Sequence, residues 1–255
     1  MRKEFAGAFA KLELADEQLD DLRAMLLAHM NRPDVVTGTV EYQPNDRSLV
    51  GNLRIQSVPH RAQAVIGNVA HNLRSALDHV ARQLVIANGG QPVDPPGSRT
   101  QFPIFVDPPG KPLHVRGGVS EAALKIIEAA QPYAADRDTD PPLGVLYHMS
   151  NVDKHKEPVP ARHAVTGWTT WMGTGTGDPS KPWTAPVKVV DPTEHRVDIV
   201  LAVAPPELGD GGCMARYEAM IELSPQGKLG PLPTVAIDLA WQVRRLVDEL
   251  AATVS

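Results

Sequence analysis

Cysteine is nearly absent from this chain of 255 residues, since Cys213 is the only one. A single cysteine excludes an intramolecular disulfide and a zinc site built on several thiolates. It suits a reducing compartment, so we expect a cytoplasmic protein. Long apolar runs are also missing. No stretch approaches the roughly 20 apolar residues that a membrane-spanning helix needs, so we expect no membrane partner.

Aromatic residues make up only 5% of the chain, and the excess of one charge sign is small, with a net charge of −5. This balance argues against non-specific coating of nucleic acid but allows a local basic site. The content of 42% hydrophobic and 22% charged residues is ordinary for a globular protein. The chain is long enough to bury a core without disulfides or metals.

The strongest element that the sequence predicts is a long helix over residues 59–88. Pro59 suits a first helical turn, Asn88-Gly89-Gly90 suits a helix end, and apolar residues recur along one stripe between them. Similar spacing predicts further helices over residues 8–30, 120–130, 141–151 and 234–252, with Ser120 as an N-cap.

Alternation of apolar and polar residues predicts β-structure elsewhere. It indicates a hairpin over 35–57, strands within 162–171, 187–203 and 214–223, and a short edge strand over 100–105 that contains Pro103. We therefore predict a single α+β domain over residues 1–255. It is mainly helical over 1–155 apart from the hairpin, mainly β over 156–230, and closed by the helix 234–252. In this α+β fold class a helical bundle surrounds the long central helix 59–88, and a small antiparallel β-sheet stands beside it.

The polar face of the long helix is the candidate functional site. Its members are short or planar polar side chains: His71, Asn72, Arg74, Ser75, Asp78, His79 and Arg82. A solvated helix face usually carries Lys and Glu, whereas neither residue occurs between positions 42 and 110. Residues 47–82 contain five Arg and one Asp, which is typical of a site for an anionic ligand. The simpler alternative is a solvated face with Arg74–Asp78 and Asp78–Arg82 pairs one turn apart.

Arg74 and His79 match the Arg-x4–6-His pattern of the HEPN ribonucleases. The pattern also occurs as Arg23/His29 and Arg54/His60, but the Arg74/His79 pair lies on the polar face of the long helix. The chain resembles these enzymes in carrying the motif on a long helix of a helical bundle. The resemblance implies an endoribonuclease that needs no metal or other cofactor and usually pairs two copies in a homodimer.

The chemistry that the resemblance implies is consistent with the side chains. RNA carries its own nucleophile in the 2′-hydroxyl. His79 would act as general acid or base, and Arg74 would bind the phosphate and its developing charge. His71 and Asn72 would orient the substrate, and Ser75, Asp78 and Arg82 would complete the binding surface. We expect RNA or another anionic ligand as the partner.

A second resemblance covers roughly residues 35–160. The string His71–His79 is similar to one found in uncharacterised bacterial and phage proteins. There it is followed by Gln-Phe-Pro-Ile, Gln-Pro-Tyr and Asn-x-Asp-Lys-His-Lys/Arg, which stand here at Gln101–Ile104, Gln131–Tyr133 and Asn151–Lys156. This resemblance implies a shared fold and site and brings no established activity.

The segment Asn151–Lys156 has two interpretations. Asn151, Asp153, Lys154 and His155 would fold over the long helix and complete its site, where Lys154 and His155 suit a phosphate. Alternatively they are turn formers and cations at a helix C-terminus. A metal site that joins His148 to these residues lacks the usual ligand spacings, so we predict no metal.

The alternative function for the whole chain is a non-catalytic structural, ligand-binding or protein-binding module. In that interpretation the polar residues of the long helix form a hydrogen-bond network that fixes the helix against its neighbours, rather than an active site.

Overall fold

The structure is a computed structural model that describes residues 3–43, 48–94, 100–135, 141–155, 161–172, 196–203, 213–223 and 232–254. The helices are α1 (Ala6–Met30), α2 (His60–Ala87), α3 (Glu121–Ala129), α4 (Pro142–His155) and α5 (Leu232–Ala252). Single 3-10 turns stand at Lys3–Phe5 and Pro132–Ala134.

The strands are β1 (Val36–Gln43), β2 (Ser48–Ile55), β3 (Ala161–Met172), β4 (Arg196–Val203) and β5 (Cys213–Leu223). They form one sheet in the order β1-β2-β4 and a second of β3 and β5. All neighbours are antiparallel, and β1 pairs with β2 from Val36 opposite Ile55 to Gln43 opposite Ser48. The register of the β3–β5 pair shifts between Val165 and Gly167.

The chain divides into two compact units. The helical unit comprises Met1–Ala24, His60–Pro160 and Pro225–Ser255, and the strand unit comprises Met25–Pro59 and Ala161–Ser224. The strands of the described residues belong to the strand unit, together with the end of α1 from Met25 to Met30. Within the helical unit, α2 packs against α4 and α5, and α3 packs against α5.

The predicted α+β fold class is wrong. Where side chains are described, over residues 3–35, 56–94, 100–135, 141–151 and 234–254, 69% of the residues are helical and none lies in a strand. The body around the central helix is therefore all-α. The error has a physical cause: β2 pairs with β4, which lies far along the chain, and local alternation does not show such long-range pairing. This pairing collects the strands into a unit of their own.

The central helix is confirmed, and α2 begins and ends within one residue of the predicted bounds. Its apolar stripe is buried, with Ile66, Val69, Leu73 and Leu77 at most 1% exposed. The N-cap of α3 is also confirmed, because the Ser120 hydroxyl accepts from the backbone N–H of Ala123 at 3.3 Å. These boundaries follow from local chemistry alone.

Helix α4 is longer than predicted, because it continues beyond Asn151 to His155. Residues 151–155 are therefore helical, so the interpretation of this segment as turn formers after a helix end is wrong for them. Asn and Asp are weak helix breakers, and the first residue that cannot continue a helix is Pro158. Local preference for turns at two residues did not overcome the helix that precedes them.

The predicted edge strand over residues 100–105 is also wrong. These residues belong to the connection between α2 and α3 and have no strand partner in the described part of the chain. The connection turns back on the end of α2 at Gly117, which has φ of +100°, and a Cβ there would lie 2.6 Å from Cγ1 of Val85. Thr100 joins its two ends, accepting from Val93 N–H and donating to the Arg116 carbonyl, each at 2.9 Å.

Candidate functional site

The polar residues of α2 contact two different neighbours. Arg74 and Asp78 contact the connection that follows α2, whereas Asn72 and His79 contact α1. The two groups lie on the same helix but contact different neighbours, because their positions differ by more than a quarter turn around the helix axis. The polar face predicted as one site is thus two separate sets of contacts.

Arg74 and Asp78 hold the backbone of one buried residue, Phe102. Nη2 of Arg74 donates to the Phe102 carbonyl at 2.6 Å, and Oδ1 of Asp78 accepts from the Phe102 N–H at 2.9 Å. The same Arg74 and Asp78 atoms lie 3.3 Å apart as an ion pair. Phe102 is 0% exposed, so both of its backbone groups need partners. Two side chains one helical turn apart supply them.

Gln131 extends this arrangement by three hydrogen bonds and is only 1% exposed. Its Nε2 donates to the carbonyls of Pro103 and Ile127 at 2.9 and 3.0 Å, and its Oε1 accepts from Phe105 N–H at 2.9 Å. We call Arg74, Asp78 and Gln131 the anchoring cluster. These three side chains supply hydrogen-bond partners to the backbone of residues 102–105. Among the described residues no strand pairs with this segment, so a sheet does not supply those partners.

Sequence reasoning named Arg74 as a catalytic residue and Asp78 as a binding residue, and gave Gln131 no role outside a motif. The structure shows that three of the four motif strings meet in the anchoring cluster: His71–His79, Gln101–Ile104 and Gln131–Tyr133. The available signal was Pro103. A proline in an otherwise extended run argues against a central strand, and the backbone groups beside it then need partners other than a full sheet.

On the α1 side, Asn72 is 5% exposed and accepts from Nζ of Lys11 at 3.3 Å while donating to Oε1 of Gln18 at 3.0 Å. The His79 ring lies against Gly7, where a Cβ would be 3.4 Å from Nδ1 of the ring. The predicted catalytic residues Arg74 and His79 therefore have different neighbours, the connection and α1 respectively.

The remaining predicted residues on α2 are His71, Ser75 and Arg82. His71 is exposed and Ser75 is half-buried. Arg82 pairs with Asp94, with Nη1 and Oδ1 at 2.5 Å, and this hydrogen bond raises the pKa of the Arg82 guanidinium. That pair is exposed to solvent, so it contributes little to stability.

The predicted residues at the end of α4 are only partly described. Asn151 is half-buried within the helix. The backbone of Asp153, Lys154 and His155 is helical, but their side chains, like all of Lys156, lie outside the described residues. Their contact with α2 stays a prediction. Among the described residues, no three His, Cys, Asp or Glu side chains are grouped as metal ligands would be.

A second candidate site, which sequence reasoning missed, is a cavity of about 470 Å³ between α3, the start of α4 and α5. We call it the α3–α5 cavity. Its volume lies within the roughly 300–1,000 Å³ of small-molecule sites. Leu143, Val243 and Leu246 form a buried apolar floor, with Ile126 and Ala129 on one wall. No sequence signal marks it, because α5 lies far along the chain from α3 and from the start of α4.

The charged residues of the α3–α5 cavity are Lys125 from α3 and Arg245 and Glu249 from α5. Nζ of Lys125 lies 2.8 Å from Oε1 of Glu121, and Nε of Arg245 lies 3.4 Å from Oε1 of Glu249. The Arg245 guanidinium also lies 5.2 Å from the ring centroid of Trp241, whose side chain is 57% exposed. Both ion pairs are largely exposed, so each is weak and exchanges readily with other partners.

Comparisons with family models, with curated proteins and with solved structures give no match to this chain. In the described part of the chain, no helix combines the length and the apolar character needed to cross a membrane.

Proposed function

We propose that this chain is a non-catalytic ligand-binding module and that its ligand occupies the α3–α5 cavity. The observation that carries the proposal is the cavity itself, which has an apolar floor, a charged rim and a volume of about 470 Å³. Concave sites with an apolar lining and a few polar groups are the usual places for small molecules.

The contacts of Arg74 favour this function over RNA cleavage. The Arg74 side chain is only 17% exposed, and its Nη2 already donates to the carbonyl of the buried Phe102 and faces Asp78. A phosphate could therefore reach this guanidinium only through its other nitrogens and beside the Asp78 carboxylate, whose charge would repel it. The anchoring cluster is thus better suited to holding the connection than to exchanging ligands.

The ribonuclease prediction is the less favoured function. It requires Arg74 and His79 to meet one phosphate, yet Arg74 contacts the connection and His79 contacts Gly7 of α1. RNA binding and a homodimer that joins the two residues stay predictions. An RNA cleavage assay tests the activity that both would serve.

Ligand binding can be tested with an uncharged dye that fluoresces in apolar surroundings. Ala129 lines the cavity, and Ala129→Leu places a larger side chain in it, so we expect dye binding to fall by about tenfold or more. Ala122→Leu is the matched control, because Ala122 is an exposed residue of the same helix outside the cavity lining. Equal dye binding by wild type and Ala129→Leu would overturn the cavity as the site.

The non-catalytic part of the proposal has its own assay. Wild type, Arg74→Ala and His79→Ala are incubated with a mixture of RNAs in the presence of a chelator. We expect all three proteins to leave the RNA intact to the same extent. Cleavage by wild type that is lost in both variants would contradict the proposal and restore the ribonuclease prediction.

A further inference from the structure

We infer that the ligand of the α3–α5 cavity is a small carboxylic acid with an apolar body, and this inference rests on the proposed function. The cavity floor is aliphatic, with Leu143, Val243 and Leu246 each no more than 7% exposed. A ligand must therefore bring an apolar part to cover this surface. The remaining question is the charge of its polar end.

The side chains at the rim favour an anion. Lys125 and Arg245 belong to opposite helices, α3 and α5, and both line the cavity, whereas Glu249 is the single acidic residue in its lining. The lining therefore carries one net positive charge. The helix ends do not alter this balance, because the positive N-terminus of α4 and the negative C-terminus of α3 both reach the cavity.

The two cations are available to a ligand. Lys125 is paired with Glu121 and Arg245 with Glu249, but the four side chains are between 51% and 82% exposed. Such pairs contribute little, so a carboxylate that is partly shielded from water would compete well for both cations. Arg245 has two terminal nitrogens besides the Nε that faces Glu249, and a guanidinium binds a carboxylate through two parallel hydrogen bonds.

Trp241 supplies a signal for this event. The Arg245 guanidinium lies 5.2 Å from the centroid of the Trp241 ring. Trp241 is one of four tryptophans in the chain. When a carboxylate draws Arg245 toward the cavity, the surroundings of the Trp241 indole change. The ligand-dependent fluorescence change should therefore disappear in Trp241→Phe while binding measured by calorimetry remains.

The test compares three ligands that share one apolar chain: octanoate, 1-octanol and octylammonium. We expect wild type to bind octanoate about tenfold more tightly than octanol and to bind octylammonium most weakly. Lys125→Gln and Arg245→Gln should each reduce the preference for octanoate over octanol, and the exposed Lys111→Gln, outside the cavity lining, should not.

The outcomes separate this inference from the proposed function. Equal binding of octanoate and octanol, or a preference for octylammonium, would overturn the acid inference while the binding function stands. Binding of the uncharged dye without binding of octanoate would also overturn the acid inference while the binding function stands. Octanoate affinity that Ala129→Leu leaves unchanged would place the acid elsewhere and overturn the inference as well.

Discussion

The anchoring cluster and the α3–α5 cavity share Gln131, which also lines the cavity, but they differ in whether their charged groups have buried protein partners. Arg74, Asp78 and Gln131 are directed at the backbone of residues 102–105 and at Ile127. At the cavity, Lys125 and Arg245 have only exposed partners beside an open apolar floor. The first region resembles a binding site in sequence and holds the chain in place, whereas the second has no sequence signature and has room for a ligand.

The difference explains how polar residues on a central helix should be interpreted. A buried extended segment without a sheet requires donors and acceptors from side chains, and these are the same residue types that bind anions. The residue composition of α2 was therefore a valid sign of specific hydrogen bonding. It did not distinguish a ligand from the protein's own backbone.

Gln131→Leu should destabilise the protein more than any other single substitution in the two regions. It removes three hydrogen bonds made by a side chain that is 1% exposed and deprives the backbone of Pro103, Phe105 and the buried Ile127 of a partner. We expect a loss of about 3 kcal/mol in the free energy of unfolding, measured by urea denaturation. Gln101→Leu, at an exposed position in the segment that Gln131 holds, should change it by less than about 0.5 kcal/mol. Equal losses would mean that the anchoring cluster is not structural.

Asp78→Ala should cost about 2 kcal/mol of unfolding free energy, because the Phe102 N–H and the Arg74 guanidinium both lose a partner. A double-mutant cycle with Arg74→Ala should give a coupling of about 1 kcal/mol between the two residues. His71→Ala, on the exposed part of the same helix, is the control. Additive losses would show that Arg74 and Asp78 act independently, contrary to the anchoring cluster.

The sequence predicts local features of this fold better than long-range ones. The bounds of α2 and the Ser120 cap follow from periodicity and capping chemistry within one element. The pairing of β2 with β4, the partners of Arg74 and the cavity between α3 and α5 each join residues far apart along the chain. Such contacts arise from packing, which no local pattern specifies.

Ala129→Leu should lower ligand binding without lowering stability, whereas Asp78→Ala in the anchoring cluster should lower stability without lowering ligand binding. The added side chain enters an open cavity and removes space rather than a hydrogen bond, so we expect stability to rise by up to about 0.5 kcal/mol while ligand binding falls. Asp78→Ala should do the opposite and leave dye binding intact at temperatures where it remains folded. A loss of dye binding in folded Asp78→Ala, or a loss of stability in Ala129→Leu as large as that in Asp78→Ala, would remove the distinction between the two regions.

A pH series provides the smallest expected effect and a control that lies outside both regions. His29, in the strand unit, is 5% exposed, and burial lowers its pKa, assisted by the nearby Arg32. The unfolded chain therefore binds a proton at this histidine at a higher pH than the folded chain does. Stability should fall as the pH decreases through the unfolded value of about 6.5. Because His29→Gln removes this titration, its unfolding free energy should vary less between pH 7.5 and pH 5.5 than that of wild type. The octanoate preference of the cavity should be the same in His29→Gln and wild type at pH 7.5, and a difference there would show that the strand unit and the cavity are coupled.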